Sequence, residues 1–189
     1  MIQKGEGNRL KFSMKKIFTL CAVLLALASS GCAVNEEANS HELAEKFVSE
    51  LYTVNKKEIE SYNNLLKANA EDALKEAIED IYKDIRILMS DEAYEKFTAN
   101  RTGVRFAEFC SENNCYIEIK ETILSERSTN ENNNEKGYNF EVKLNIVSSK
   151  DGAEEEDVAE GIIQLTKENE EWKVSGYRDI KLPEAITKE

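Results

Sequence analysis

Four cysteines and a single histidine supply the thiol and imidazole groups of this sequence, which are zinc ligands and, as thiolates, strong nucleophiles. Cys110 and Cys115 are separated by Ser-Glu-Asn-Asn, a turn-like segment, and we predict a disulfide between them. Such a small closed loop contributes about 2 kcal/mol on the chain-entropy model. Two free thiols are the alternative. A metal ion would need further ligands beside these two thiolates, and His41 is far away in sequence. Neither a metal nor another cofactor is therefore predicted.

The carboxylates of the sequence show no catalytic spacing. The acidic run at residues 154–157 lacks the alternating ligands of a calcium loop, and adjacent carboxylates in a hairpin connection are usually solvated. A buried aspartate or tyrosine could act as a general acid or base, and Asp84, Asp157 and Asp179 qualify by residue type alone. There is no Gly-rich phosphate loop and no nucleophile elbow, so no catalytic residue is predicted.

The apolar stretch FTLCAVLLALASSGC, residues 18–32, is a candidate membrane span, signal or anchor. Its apolar part, residues 17–28, would form about 18 Å of helix, whereas a bilayer core is about 30 Å thick. This helix is therefore too short to span a bilayer. Lys15 and Lys16 precede it and small residues follow it, which is the order of a secretory signal peptide starting at Met1 or Met14.

The residues Ser29-Ser30-Gly31-Cys32 resemble the lipobox of bacterial lipoproteins, although Ser29 stands where the lipobox has an apolar residue. The resemblance implies that Cys32 is lipidated and becomes the first mature residue, and two acyl chains anchor a protein stably. We therefore expect a signal peptide at residues 1–31, a lipidated tether at 32–40, and a location on the extracytoplasmic face of the cell membrane. Ordinary cleavage after Ser30 or Ala33, giving a soluble secreted protein, is the alternative.

The charge of the chain argues against one class of partner. Residues 1–31 carry five basic residues and one glutamate, so their removal takes the formal net charge from −12 to about −16. A strongly acidic surface repels phosphate backbones, so nucleic acid is not an expected partner.

The pattern of apolar residues changes from a helical to a strand period along the chain. Residues 41–100 repeat apolar side chains at helical spacing, and Asn55 to Glu58 has the form of a capping box. The run from Tyr138 to Ile146 alternates strictly between apolar and polar residues. Short polar connections join it to the other candidate strands. Helices followed by antiparallel hairpins predict an α+β domain; the other strands are predicted at residues 116–126, 158–167 and 172–180.

Three segments of this order resemble the nuclear transport factor 2-like superfamily, which includes ketosteroid isomerases, polyketide cyclases and many bacterial lipoproteins. They are FVSELYTVNKKEIESY, LMSDEAYEKFTANR and GIIQLTKENEEWKVSGYRDI, and the resemblance covers residues 41–182. It implies cone-like helices packed on a curved antiparallel sheet, within a domain that we place at residues 41–189. Enzymes of the superfamily use a histidine, aspartate or tyrosine inside the cone, and His41 lies at the tether junction.

Large aromatic residues are the pocket candidates of the predicted cone. A bulge or bend at Gly176 would let Tyr82, Phe140 and Trp172 converge on one cavity, which we expect to be filled by side chains; Tyr177, beyond Gly176, is the fourth candidate. The sequence thus favours a non-catalytic binding or scaffolding module whose partner is an envelope protein or a second copy. A small-molecule binding protein, or a cone-pocket enzyme of the isomerase or dehydratase kind, is the alternative.

Overall fold

The computed structural model of the chain describes residues 30–127 and 134–187, with side chains described from residue 38 onward. The chain divides into two units, residues 1–38 and residues 39–189. The predicted signal peptide therefore lies almost entirely outside the described residues, and so does the side chain of Cys32.

Within the described residues, six helices and a four-stranded antiparallel sheet form an α+β fold, as predicted. The capping box is confirmed: the Asn55 side chain accepts a hydrogen bond from the Lys57 amide, and the Asn55 amide donates to the Glu58 carboxylate. The Ser90 hydroxyl caps a later helix by accepting from the Ala93 amide. The helices are α1 (Ser30–Tyr52), α2 (Lys56–Lys67), α3 (Glu71–Arg86), α4 (Asp91–Ala99), α5 (Arg105–Asn113) and α6 (Glu184–Thr187).

Two segments differ from the sequence prediction. Residues 32–40, predicted as a tether, lie in α1, and Ser40 is buried with its hydroxyl 2.9 Å from the Tyr138 hydroxyl. No proline or glycine interrupts residues 33–52, so nothing in that sequence prevents the helix from starting early. Helix α5 replaces the turn expected around Cys110, and the chain turns only at Asn114, which has a left-handed φ of 52°.

The sheet follows chain order, and each strand pairs antiparallel with the next. The register between the last two strands shifts at Ser175, because Gln164 pairs with Gly176 while Leu165 pairs with Val174. This irregularity confirms the bend expected at Gly176. The strands are β1 (Cys115–Glu126), β2 (Glu135–Ser148), β3 (Glu154–Glu168) and β4 (Glu171–Lys181).

Two short backbone bridges join the helical part to the two edge strands. Val54, just after α1, pairs with Ile117 of β1 through hydrogen bonds of 2.9 and 3.0 Å. Met89, just before α4, is bridged to Val174 of β4. The alternating residues of β2 from Tyr138 to Ile146 then face the helices and are buried, so the core lies between the helices and one face of the sheet.

Candidate functional site

Two tyrosines, an aspartate and an arginine form a hydrogen-bonded network where α1, α5 and β4 meet. The Tyr52 hydroxyl lies 3.0 Å from the Tyr177 hydroxyl and donates to Asp179 Oδ1 at 3.1 Å. The Tyr177 hydroxyl donates to the same oxygen. Arg105 Nη1 donates to Asp179 Oδ2 at 3.1 Å, and the two charged side chains are only partly exposed. Both carboxylate oxygens of Asp179 are thus occupied by side chains of the protein itself.

The environment of this network keeps its tyrosines protonated. Burial raises the pKa of Tyr177 well above its ordinary value, and the neighbouring Tyr52 and Asp179 act in the same direction. Burial, followed by the charge of Asp179, likewise raises the pKa of Tyr52. Since a general base must be able to lose its proton near the operating pH, neither tyrosine is suited to proton abstraction. They are hydrogen-bond donors to Asp179.

Three of the four predicted pocket aromatics lie in one cluster. Phe140 stacks on Tyr177, with ring centroids 6.1 Å apart and planes at 14°. Phe97 connects this pair to Tyr82, because its centroid is 6.4 Å from Tyr177 and 5.9 Å from Tyr82. Gly161 leaves the space against β3 that the Phe140 ring fills, since a Cβ there would lie 2.5 Å from that ring. Aromatic rings therefore fill the space between these three predicted pocket residues.

Trp172 has no ring contact with this cluster in the part of the chain that the structure describes. It pairs with Lys167 near the β3–β4 turn, and the Lys136 ammonium lies 5.7 Å from its ring centroid. Its buried Nε1 has no hydrogen-bond partner among the described residues. Trp172 and Tyr177 lie opposite Lys167 and Ile163 on the same face of the sheet, so distance along the strand keeps the two rings apart.

The open space lies outside the aromatic cluster. A cavity of about 40 Å³ under α2 and α3, lined by Ser61, Asp80 and Gly103 among others, touches none of the predicted pocket residues. A larger groove of about 570 Å³ runs between α4 and β4 and is open to solvent. We call it the α4–β4 groove. Its lining residues are Met89, Ala93, Lys96, Phe97, Asn100, Thr102, Arg127, Ile162, Gln164, Ser175, Gly176, Tyr177 and Arg178.

The cysteines and the other two candidate aspartates have structural surroundings. Cys110 and Cys115 are buried thiols close enough to hydrogen bond, and burial raises the pKa of both. Their disulfide stays a prediction. Asp84 forms an exposed ion pair with Lys57 at 2.8 Å, and Asp157 accepts from the Ala185 amide at 2.9 Å at the start of α6. Among the described residues there is no group of three metal-ligating side chains.

Tyr52 and Arg105 are site residues that the sequence did not predict. Tyr52 reads as one more apolar position at the end of α1, and Arg105 as one cation among many. In the sequence, Asp179 is a candidate acid or base only because of its residue type. No pattern in the sequence joins these residues, because the network forms across segments far apart in the chain.

Comparison with known proteins gives weak structural likenesses. No family model and no curated protein matches the chain. The solution structure of TraH from the Gram-positive conjugative plasmid pIP501 is similar with a TM-score of 0.43 and 14% identity, covering 77% of this chain and 94% of that one. The intermembrane-space region of the chloroplast protein ARC6 has a TM-score of 0.34 and 10% identity, covering 74% and 95%. Both scores are too low to carry a conclusion about function.

Within residues 30–127 and 134–187, no helix is both long enough and apolar enough to cross a bilayer.

Proposed function

We propose that this protein is a lipid-anchored, extracytoplasmic binding module of the cell envelope that carries out no catalysis. The anchor would be Cys32 after removal of residues 1–31, and the α+β domain, placed at residues 41–189, would have the nuclear transport factor 2-like fold. The binding surface would be on the outside of the domain. The partner would be another envelope protein or a second copy of the chain.

The observation that carries this proposal is the filled interior. Phe140, Tyr177, Phe97 and Tyr82 pack against one another, and Asp179 is occupied by three donors. A ligand inside the domain would have to displace these rings, at a loss of packing and of buried hydrogen bonds. The surface groove needs no such displacement, so binding from outside is the function that the geometry supports best.

Lipid anchoring is tested by replacing one cysteine. Cys32→Ser should abolish labelling by a fatty-acid probe and leave an uncleaved precursor, whereas Cys21→Ser should leave both labelling and processing unchanged. Mass spectrometry of the mature protein should place its first residue at Cys32. A mature protein beginning at Gly31 or Val34 would contradict the anchor.

Binding from outside is tested by native mass spectrometry of the full chain in a neutral detergent. We expect the mass of the polypeptide with its lipid, alone or as a dimer, and no retained small molecule. A stoichiometric small ligand whose release changes Trp172 fluorescence would contradict the proposal.

One observation favours the alternative of a small-molecule site. The α4–β4 groove has a volume within the range of ligand pockets, and Tyr177 and Phe97 contribute to its wall. A ligand detected in the experiment above, and lost from a Tyr177→Phe variant, would support this second function.

A further inference from the structure

The α4–β4 groove is basic, although the protein as a whole is acidic. The formal net charge of the chain is −12, yet the groove is lined by Lys96, Arg127 and Arg178. None of the described residues lining it is an aspartate or glutamate. A cationic groove on an anionic protein concentrates anionic ligands there and repels them elsewhere.

Two of the three cations have no counter-ion in the described part of the chain. Lys96 pairs with Glu92 at 2.6 Å on the surface of α4. Arg127 and Arg178 are exposed, and neither forms an ion pair with a described residue. Arginine forks bind carboxylates through two parallel hydrogen bonds, so these two side chains are available for an incoming carboxylate.

The surface around the groove supplies neutral donors and acceptors and some apolar area. Asn100, Gln164 and Ser175 add amide and hydroxyl groups, while Met89 and Ile162 add apolar contact. The groove lies along β4, which is an edge strand of the sheet and is bridged on its outer side to Met89. Because the Val174 amide and carbonyl already bond Leu88 and Ser90, an extended peptide in the groove would be held by side chains and not as an added strand.

The cationic surface continues beyond this groove. A second open groove of about 470 Å³ shares Arg127, Gln164 and Ser175 with the first, and adds Lys136 together with one carboxylate, Glu135. Small ligands are largely enclosed by their pockets, whereas both of these spaces are open. A chain of several residues fits this continuous open surface better than a small anion does.

We propose that the α4–β4 groove binds an acidic, extended segment of a partner protein, with Arg127 and Arg178 as its carboxylate-binding residues. This proposal rests on the binding function above and names the chemistry of its partner. It accounts for a basic groove in a chain of opposite net charge.

The test uses the full chain in neutral detergent and a labelled synthetic peptide that alternates glutamate with valine and threonine. Fluorescence anisotropy should show binding that weakens with added salt, and at least about 10-fold weaker binding of the same peptide with glutamine in place of glutamate. Arg127→Gln and Arg178→Gln should each weaken binding by about 3- to 10-fold. Lys150→Gln, which removes an exposed cation at the β2–β3 turn outside the groove, should change it little.

Three results would overturn the proposal. They are equal binding of the glutamate and glutamine peptides, displacement of the peptide by an equal concentration of inorganic phosphate, and recruitment to phosphatidylglycerol vesicles that depends on the same arginines. The first would remove the role of charge, and the second and third would assign the groove to a small anion or to lipid. Both arginines are exposed, so urea unfolding of the variants should match that of the unsubstituted chain and exclude misfolding.

A cellular measurement separates this proposal from the broader function. Envelope crosslinking that captures a partner with the unsubstituted chain but not with the double variant Arg127→Gln, Arg178→Gln supports the groove, provided the acidic peptide also binds. Capture that persists in the double variant would contradict the groove and leave the binding function standing. No capture by either chain, together with a retained small ligand, would contradict both.

Discussion

The Tyr52 hydroxyl donates a hydrogen bond to Asp179 at 3.1 Å, although 127 residues separate them in the chain. This contact ties the end of α1 to the last strand of the sheet, and Arg105 of α5 holds the second oxygen of the same carboxylate. Three elements are therefore joined at one side chain. The side chain of Asp179 thus holds two helices against the last strand through three donors.

Removing the carboxylate should destabilise the protein more than removing one hydroxyl. Asp179→Ala leaves Arg105 and two tyrosine hydroxyls without their acceptor, so we expect the free energy of unfolding to fall by about 2–3 kcal/mol. Tyr52→Phe removes one donor and should lower it by about 1 kcal/mol. Urea unfolding followed by circular dichroism measures both, with Tyr116→Phe as the control because its hydroxyl bonds no described residue. An Asp179→Ala variant as stable as the control would show that the network contributes nothing.

Gly161 should not tolerate a methyl group. Its Cβ would lie 2.5 Å from the Phe140 ring and 2.7 Å from the Arg178 carbonyl oxygen, and the latter is backbone that cannot move aside easily. We expect Gly161→Ala to lower the free energy of unfolding by about 1–3 kcal/mol. Gly137→Ala is the matched control, since its nearest neighbour would be Arg127 Cβ at an ordinary 3.5 Å. The prediction fails if both variants unfold at the same urea concentration.

Cys110 and Cys115 should be slow to react as thiols and able to form an internal disulfide. Burial raises the pKa of each thiol, so little thiolate exists at about pH 8 and labelling by iodoacetamide should be slow until urea is added. Diamide should remove two hydrogens from the mass of a chain whose Cys21 and Cys32 are serine, and Cys115→Ser should prevent this. Fast labelling of the folded chain, or crosslinking only between chains, would contradict the placement of the pair.

Tyrosine ionisation should make the folded state less stable at high pH. Burial raises the pKa of Tyr82 to about 12, whereas an unfolded tyrosine titrates near about 10. Below the unfolded pKa both states keep the proton and stability is unaffected. At a pH between these two pKa values, the unfolded tyrosine has lost its proton while the folded Tyr82 keeps it. The free energy of unfolding therefore falls as the pH rises.

The contribution of Tyr82 can be isolated by substitution. Tyr82→Phe should reduce the pH slope of the unfolding free energy between about pH 10 and 12 by up to about 1.4 kcal/mol per pH unit. Absorbance titration should show fewer tyrosines ionised in the folded chain than in urea. An identical slope in the variant and the unsubstituted chain would mean that Tyr82 titrates as an exposed side chain does.

Local sequence patterns predicted the elements of this fold because each depends on residues close together in the chain. Alternation from Tyr138 to Ile146 identified β2, and the residues from Asn55 to Glu58 identified the start of α2. Gly176 indicated the irregularity of β4 for the same reason, since a strand position without a side chain is a local property. Helix α5 was missed because it has few residues, and the polar run after Cys110 resembles a turn.

The sequence by itself determined the acidic charge, the apolar run before Cys32 and the order of helices and strands. Tertiary structure alone decided which side chains meet. It placed Tyr52, Tyr177 and Asp179 together, separated Trp172 from the aromatic cluster, and gathered Arg127 and Arg178 on one groove. The physical reason is that periodicity specifies which face of an element is buried, whereas contacts between distant segments depend on strand register and on how helices dock on the sheet.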